Sequence, residues 1–175
     1  METEHFTYDD VDVYREDANL FLPGRWLNTN CVHFGLRLLE HESFYLDGKG
    51  KDSILIFDPS QVSFIRFQLE SDEEMADFRG GNNVDSVRWI FAPVNNNESL
   101  FEMGSHWSFM AYHVTSSTAI HFDSMRGNNA DVARKKQMAN LFSKKTSFFN
   151  TFYSSSVAQW HKTFVCNSRK YFSII

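Results

Sequence analysis

The chain has 175 residues, a net charge of −5 at pH 7 and an aromatic content of 16%, with 18 phenylalanines. That length fits a single domain over 1–175 with a Phe-rich core and leaves little room for two. The charge offers no basic footprint for nucleic acid, no apolar run approaches the ~18 residues of a membrane span, and Met1–Asp10 is too polar for a secretory signal.

In chain order, the first twenty residues read as a strand or extended arm that ends at the Pro23-Gly24 turn. Trp26–His41 reads as a helix, because Leu27, Cys31, Phe34 and Leu38 recur at spacings of three and four. Phe44-Tyr45-Leu46 is a short apolar run closed by Asp47-Gly48. Ser53–Phe57 is a short strand or loop. Asp58-Pro59-Ser60-Gln61 then opens a helix, with Asp58 as cap, Pro59 in the first turn and Gln61 reaching back. Val62, Ile65 and Phe67 lie along that helix. Ser71 and Glu74 form a second capping box for a helix through Phe78.

Val87–Val94 is dense in β-formers and stops at three consecutive asparagines, Asn95 to Asn97. Trp107–Val114 and Ala119–Asp123 read as a hairpin around Thr115–Thr118. Asn129–Ser143 reads as a helix with a basic stretch at Arg134-Lys135-Lys136, and Ser147–Tyr153 as a last strand. Helices first, strands next and a helix near the end describe an α+β fold.

Two cysteines without a signal read as reduced thiols of the cytoplasm or nucleus. Cys166, His106 and Asp123 are the only set in the chain that could make a thiol protease. Such chemistry needs an imidazole to take the thiol proton, a carboxylate to fix the imidazole tautomer, and a donor for the oxyanion. A tight hairpin centred between Ser116 and Ser117 sets Asp123 opposite Met110. His106 then lies on the same sheet face but about 13 Å away, so a different register or a bend near Gly104 is needed to join the pair. On these residues alone, a surface or core histidine at a strand end and a turn-capping Asp123 are the readings that prevail. Cys31, on the apolar helix face, reads as core. The scattered histidines match no metal site, and no organic cofactor is implied.

Several segments resemble one family. Gly104-Ser105-His106-Trp107-Ser108 resembles the His-Trp-Ser segment of the sentrin- and SUMO-specific proteases, and Phe122-Asp123-Ser124 is similar to their Asp-Ser segment. The 17-residue spacing between His106 and Asp123 fits that family. Pro23-Gly24-Arg25-Trp26-Leu27-Asn28 looks like the signature that opens its first long helix, and Asp58-Pro59 and Arg88–Pro93 fall in its order. The short N-terminal arm and the Asn-rich turn are most similar to the neddylation-specific branch. The resemblance spans about 8–158.

The resemblance implies a papain-like α+β fold of the ubiquitin-like-protein protease type. It implies a monomeric thiol isopeptidase, without metal or cofactor, that cleaves after the Gly-Gly tail of a ubiquitin-like modifier. The modifier would be the neddylation tag or a SUMO-like protein, carried on conjugates such as cullins. His106, Asp123 and Cys166 would be catalytic and Gln159 the oxyanion donor. Trp26 and Trp107 would roof a tunnel slim enough for glycine alone, with Asn28 beside them; core packing is the other reading of the tryptophans.

The C-terminal part departs from the family after about 159. Val165 and Asn167 replace the Asp and Gly that flank the family cysteine, and Gln159 lies seven positions before Cys166 rather than six. Only nine residues, 167–175, follow Cys166, so the terminal helix is expected to be shortened. Thr29 replaces an acidic residue of the helix signature. A modifier-binding module with an impaired nucleophile is therefore the alternative to an active protease, and an incompletely folded fragment a third.

Overall fold

The computed structural model describes residues 5–42, 53–125, 128–134, 138, 141–142 and 148–153. They belong to two compact units, one within 1–47 and the other within 48–157. Each has its own apolar core.

In the first unit the N-terminal arm is a hairpin of β1 (His5–Tyr8) and β2 (Val11–Tyr14), followed by a short helix α1 (Arg15–Leu20). The turn between the strands uses Asp9 at φ 55, a left-handed conformation that Asp tolerates better than most residues. The Pro23-Gly24 turn is present, with Gly24 at φ 78. Helix α2 runs over Thr29–Glu42, three residues later than the apolar spacing from Trp26 suggests. The side chain of Asn28 explains the late start. Its Oδ1 accepts the Cys31 backbone N–H at 2.9 Å, so Asn28 stands outside the helix and caps it. Cys31, Phe34 and Leu38 turn inward onto Val11, Val13 and Phe21. Phe34 sits at the centre, meeting Phe6, Tyr8 and Phe21 edge to face.

The second unit is a five-stranded sheet in the order β3 (Ile54–Ile56), β4 (Trp89–Asn95), β5 (Trp107–His113), β6 (Thr118–Asp123), β7 (Phe148–Tyr153). The two outer pairings are parallel and the two inner ones antiparallel. Helices α3 (Pro59–Phe67) and α4 (Asp72–Gly81) lie in the chain between β3 and β4. Both carry the expected capping boxes. Asp58 accepts from the N–H groups of Ser60 and Gln61 while Gln61 accepts from that of Asp58, and Ser71 and Glu74 do the same reciprocally.

Val62, Ile65 and Met75 join Ile90, Ala92, Val94, Met110 and Tyr112 in the core. Met138, Leu141 and Phe142 complete it, beyond a short helix α5 (Ala130–Ala133). The run at 44–46, positions 135–137, 139–140 and 143 of the expected 129–143 helix, and everything after 153, including the expected shortened terminal helix, lie outside the described residues.

Candidate active site

Strands β5 and β6 build the site. Their side chains alternate, and the inward series on β6 is Ala119, His121, Asp123. A histidine and an aspartate in core-facing positions are costly unless each finds partners. The register supplies them. Met110 pairs with His121, so the same register carried two residues further sets Asp123 opposite Ser108. The tight hairpin expected from the sequence placed Asp123 opposite Met110, and the structure corrects that by two residues. The reason is the turn: Val114–Ser117 is a four-residue connection with Ser117 at φ 50, one that no glycine advertises. The slip keeps the parity and reduces the gap to His106 from about 13 Å to about 7 Å along the strand.

The side chains close the rest. His106 Nε2 lies 2.7 Å from Asp123 Oδ1, and both residues are buried. Asp123 also accepts the backbone N–H of Met125 on Oδ1 at 2.7 Å and that of Asn129 on Oδ2 at 2.9 Å. Burial would push the Asp123 carboxyl up, but the bonds from Asn129, Met125 and His106 outweigh it, and the pKa is held below the usual carboxylate value. An ionised carboxylate only accepts, so the hydrogen between the two residues sits on His106 Nε2. Nδ1 is then the ring nitrogen able to take a proton.

The backbone around His106 is fixed by the connection from β4 to β5. Asn96 Oδ1 accepts the N–H groups of Ser105 and His106 at 2.7 and 3.0 Å, and the Asn96 N–H donates to the His106 carbonyl at 3.2 Å. That connection is anchored by Arg66 of α3, a buried guanidinium that donates to the carbonyls of Asn95 and Asn97 and to Asn97 Oδ1 at 2.7–2.8 Å. Burial pulls the Arg66 pKa down to about 10, which leaves it charged at neutral pH.

Beneath the pair lies a second buried histidine. His121 Nε2 is 2.9 Å from Ser108 Oγ, and burial pulls its pKa down, so it is held neutral. Asn96, Ser108, His121 and Asn129 are site residues to which motif reading assigns no role, although Ser108 lies in the His-Trp-Ser segment and Asn96 in the Asn-rich turn. Their signal was polarity at core-facing strand positions and asparagine at chain turns, which one sequence shows without saying what they serve.

The Ulp1 protease family, C-terminal catalytic domain, matches residues 25–144. The chain belongs to this family. It is 24% identical over 135 residues to human sentrin-specific protease 8, covering 77% of this chain and 62% of that protein. It is 26% identical over 129 residues to a probable sentrin-specific protease 8 of Dictyostelium discoideum, covering 73% and 53%, and 28% identical over 125 residues to NEDD8-specific protease 1 of Arabidopsis thaliana, covering 70% and 52%. The chain thus spans about half the length of the curated relatives it matches. Among solved structures it shares its fold with the Ulp1 protease domain in complex with Smt3, the yeast ortholog of SUMO (TM-score 0.58, 18% identity, covering 88% of this chain and 67% of that one). A de-sumoylating protease gives a TM-score of 0.57 at 12% identity, covering 98% and 73%. The fold is therefore the papain-like α+β fold of Ulp1-type catalytic domains.

Trp26 is largely exposed, at 68%, and Trp107 is half-buried at the start of β5. Asn28, besides capping α2, donates through Nδ2 to Asp17, a buried carboxylate that also accepts from Tyr14 N–H and Asn30 Nδ2. Cys31 is wholly buried, and burial pushes its thiol up to about 12, so it has the character of a core residue. Cys166 and Gln159 lie outside the described residues.

Proposed function

We propose that this chain is a thiol protease acting on the Gly-Gly tail of a ubiquitin-like modifier, with His106 as general base and Asp123 as its orienting carboxylate. The observation that carries the reading is the buried 2.7 Å bond between His106 Nε2 and Asp123 Oδ1 in a chain of this family. Cys166 is the proposed nucleophile, since Cys31 is sealed in a core and its thiol resists ionisation. Gln159 is the proposed oxyanion donor, and Trp26, Asn28 and Trp107 the proposed contacts to the tail.

In this mechanism His106 Nδ1 takes the Cys166 proton. The thiolate then attacks the carbonyl carbon of the terminal glycine, and the electron pair of its C=O moves onto the oxygen. As the tetrahedral species collapses, the C–N bond breaks and the imidazolium returns its proton to the leaving amine. Water, deprotonated by His106, then cleaves the thioester and restores the thiol. Asp123 holds the imidazolium throughout without itself taking a proton.

Relatives named NEDD8-specific proteases support the neddylation tag as substrate, and those named sentrin-specific proteases support a SUMO-like one; the neddylation tag is the substrate proposed first. Conjugates such as modified cullins, a monomeric state and a cytoplasmic or nuclear location belong to the same proposal. The test is cleavage of tail-extended precursors of the neddylation tag and of SUMO, followed by intact mass. Release of the tail after Gly-Gly from the first in preference to the second is the expected result. Saturable binding of either modifier without cleavage would replace the protease reading with that of a binding module.

A further inference from the structure

Asn129 sits at the position before α5 where an asparagine ordinarily turns its side-chain oxygen onto the helix N–H groups. Here it makes no such bond, and its Oδ1 is buried with no partner among the described residues. Its amide nitrogen instead points into the sheet. Nδ2 lies 3.0 Å from the Val94 carbonyl, 3.2 Å from the His106 carbonyl and 2.9 Å from Ser108 Oγ. The backbone N–H of the same residue holds Asp123 Oδ2. One residue therefore grips β4, the His106 backbone, β5 and the orienting carboxylate.

The chemistry of the cluster explains why it is an asparagine. The two hydrogens of the amide are shared among the two carbonyls and the hydroxyl, and serine, threonine and an ionised aspartate have no such pair of N–H donors. Ser108 Oγ donates to the Val94 carbonyl at 3.4 Å and accepts from Asn129 Nδ2. The same oxygen lies 2.9 Å from His121 Nε2, so the hydroxyl and the neutral ring share a hydrogen bond whose direction follows the His121 tautomer. The His106 carbonyl thus accepts from Asn129 Nδ2 and from the Asn96 N–H, each at 3.2 Å.

We infer that Asn129 is a positioning residue for the His106–Asp123 pair, with Ser108 and His121 as its support. It acts on the histidine through the backbone carbonyl and on the aspartate through its own N–H. Its side chain can thus be changed while the N–H bond to Asp123 stays. The catalytic consequence rests on the protease reading above; the geometric consequence does not.

The experiment is Asn129→Ala in the full chain, with the isosteric Asn129→Asp in its place if the alanine variant does not fold. Two readouts separate the claims. In proton NMR, the downfield His106 Nε2–H signal of the wild type is expected to broaden or move in the variant while far-UV circular dichroism is kept. In cleavage assays, kcat is expected to fall about 10- to 100-fold with KM unchanged, as misplacement of a catalytic group does. Ser108→Ala, which leaves Asn129 both carbonyls, is expected to lose much less. An unaltered His106 signal in a folded variant overturns the inference. If the wild type cleaves no modifier, the protease reading fails, and the NMR signal still decides the positioning role.

Discussion

The three bonds that Asp123 accepts determine what its replacement would do. In Asp123→Asn the new amide sets an N–H₂ group against either the His106 ring and the Met125 N–H or the Asn129 N–H. A donor then faces a donor, or the ring turns to the wrong tautomer. The predicted loss in kcat is about 10⁴-fold, the size seen when the same change is made in a serine-protease triad. Steady-state cleavage kinetics check it, and a loss below tenfold would mean that Asp123 does not orient the base. The buried His121 gives a prediction in pH. Its folded pKa is depressed from 6.5, so the unfolded chain takes up a proton that the native state refuses. The stability it contributes is complete above pH 6.5 and declines as pH falls below that value; Asp123, depressed from 3.8, adds a second loss at lower pH. Melting temperatures of the wild type should fall from pH 7.5 to pH 5, and those of His121→Asn should fall less. Parallel curves would remove His121 as the cause.

The connection between β4 and β5 is where one element holds the site most tightly. A Cβ at Gly104 would lie 1.5 Å from Asn95 Oδ1 and 2.6 Å from Asn96 Oδ1. The second of these atoms is the acceptor that fixes the His106 backbone. Gly104→Ala is therefore predicted to destabilise the fold by about 1–3 kcal/mol, as overpacking does, and to lower kcat as well, because Asn96 must move. Thermal melts and kcat measured together check this, and a drop in stability with full activity would detach Asn96 from the site. Elements with local chemistry were legible in the sequence: the capping boxes at Asp58 and Ser71 and the strands around Ile90, Met110 and Ile120 lie where their residues indicate. The hairpin register was not, because Ser117 adopts a left-handed conformation without a glycine to announce it. The start of α2 was misplaced for a similar reason. Leu27 continues the apolar spacing, and only the Asn28–Cys31 bond shows that the helix begins after it. His106 and Asp123 were readable as a pair by parity and motif. Asn129 was not, since its partners come from two strands distant in sequence.

At the scale of the molecule, the two cysteines have separate fates. Cys31 belongs to the core of the first unit, next to Phe34 and Val13, and its thiol is pushed up to about 12. A thiol sealed in that way is a poor nucleophile, so an account in which this chain is a thiol protease rests on Cys166. The most direct measurement is mass spectrometry of the full chain after reaction with a neddylation-tag modifier whose Gly-Gly tail ends in a thiol-reactive group. The account predicts one adduct, on Cys166, formed more slowly in His106→Ala and unchanged in Cys31→Ala. A folded chain that forms no adduct, or whose adduct forms as fast without His106, would contradict it.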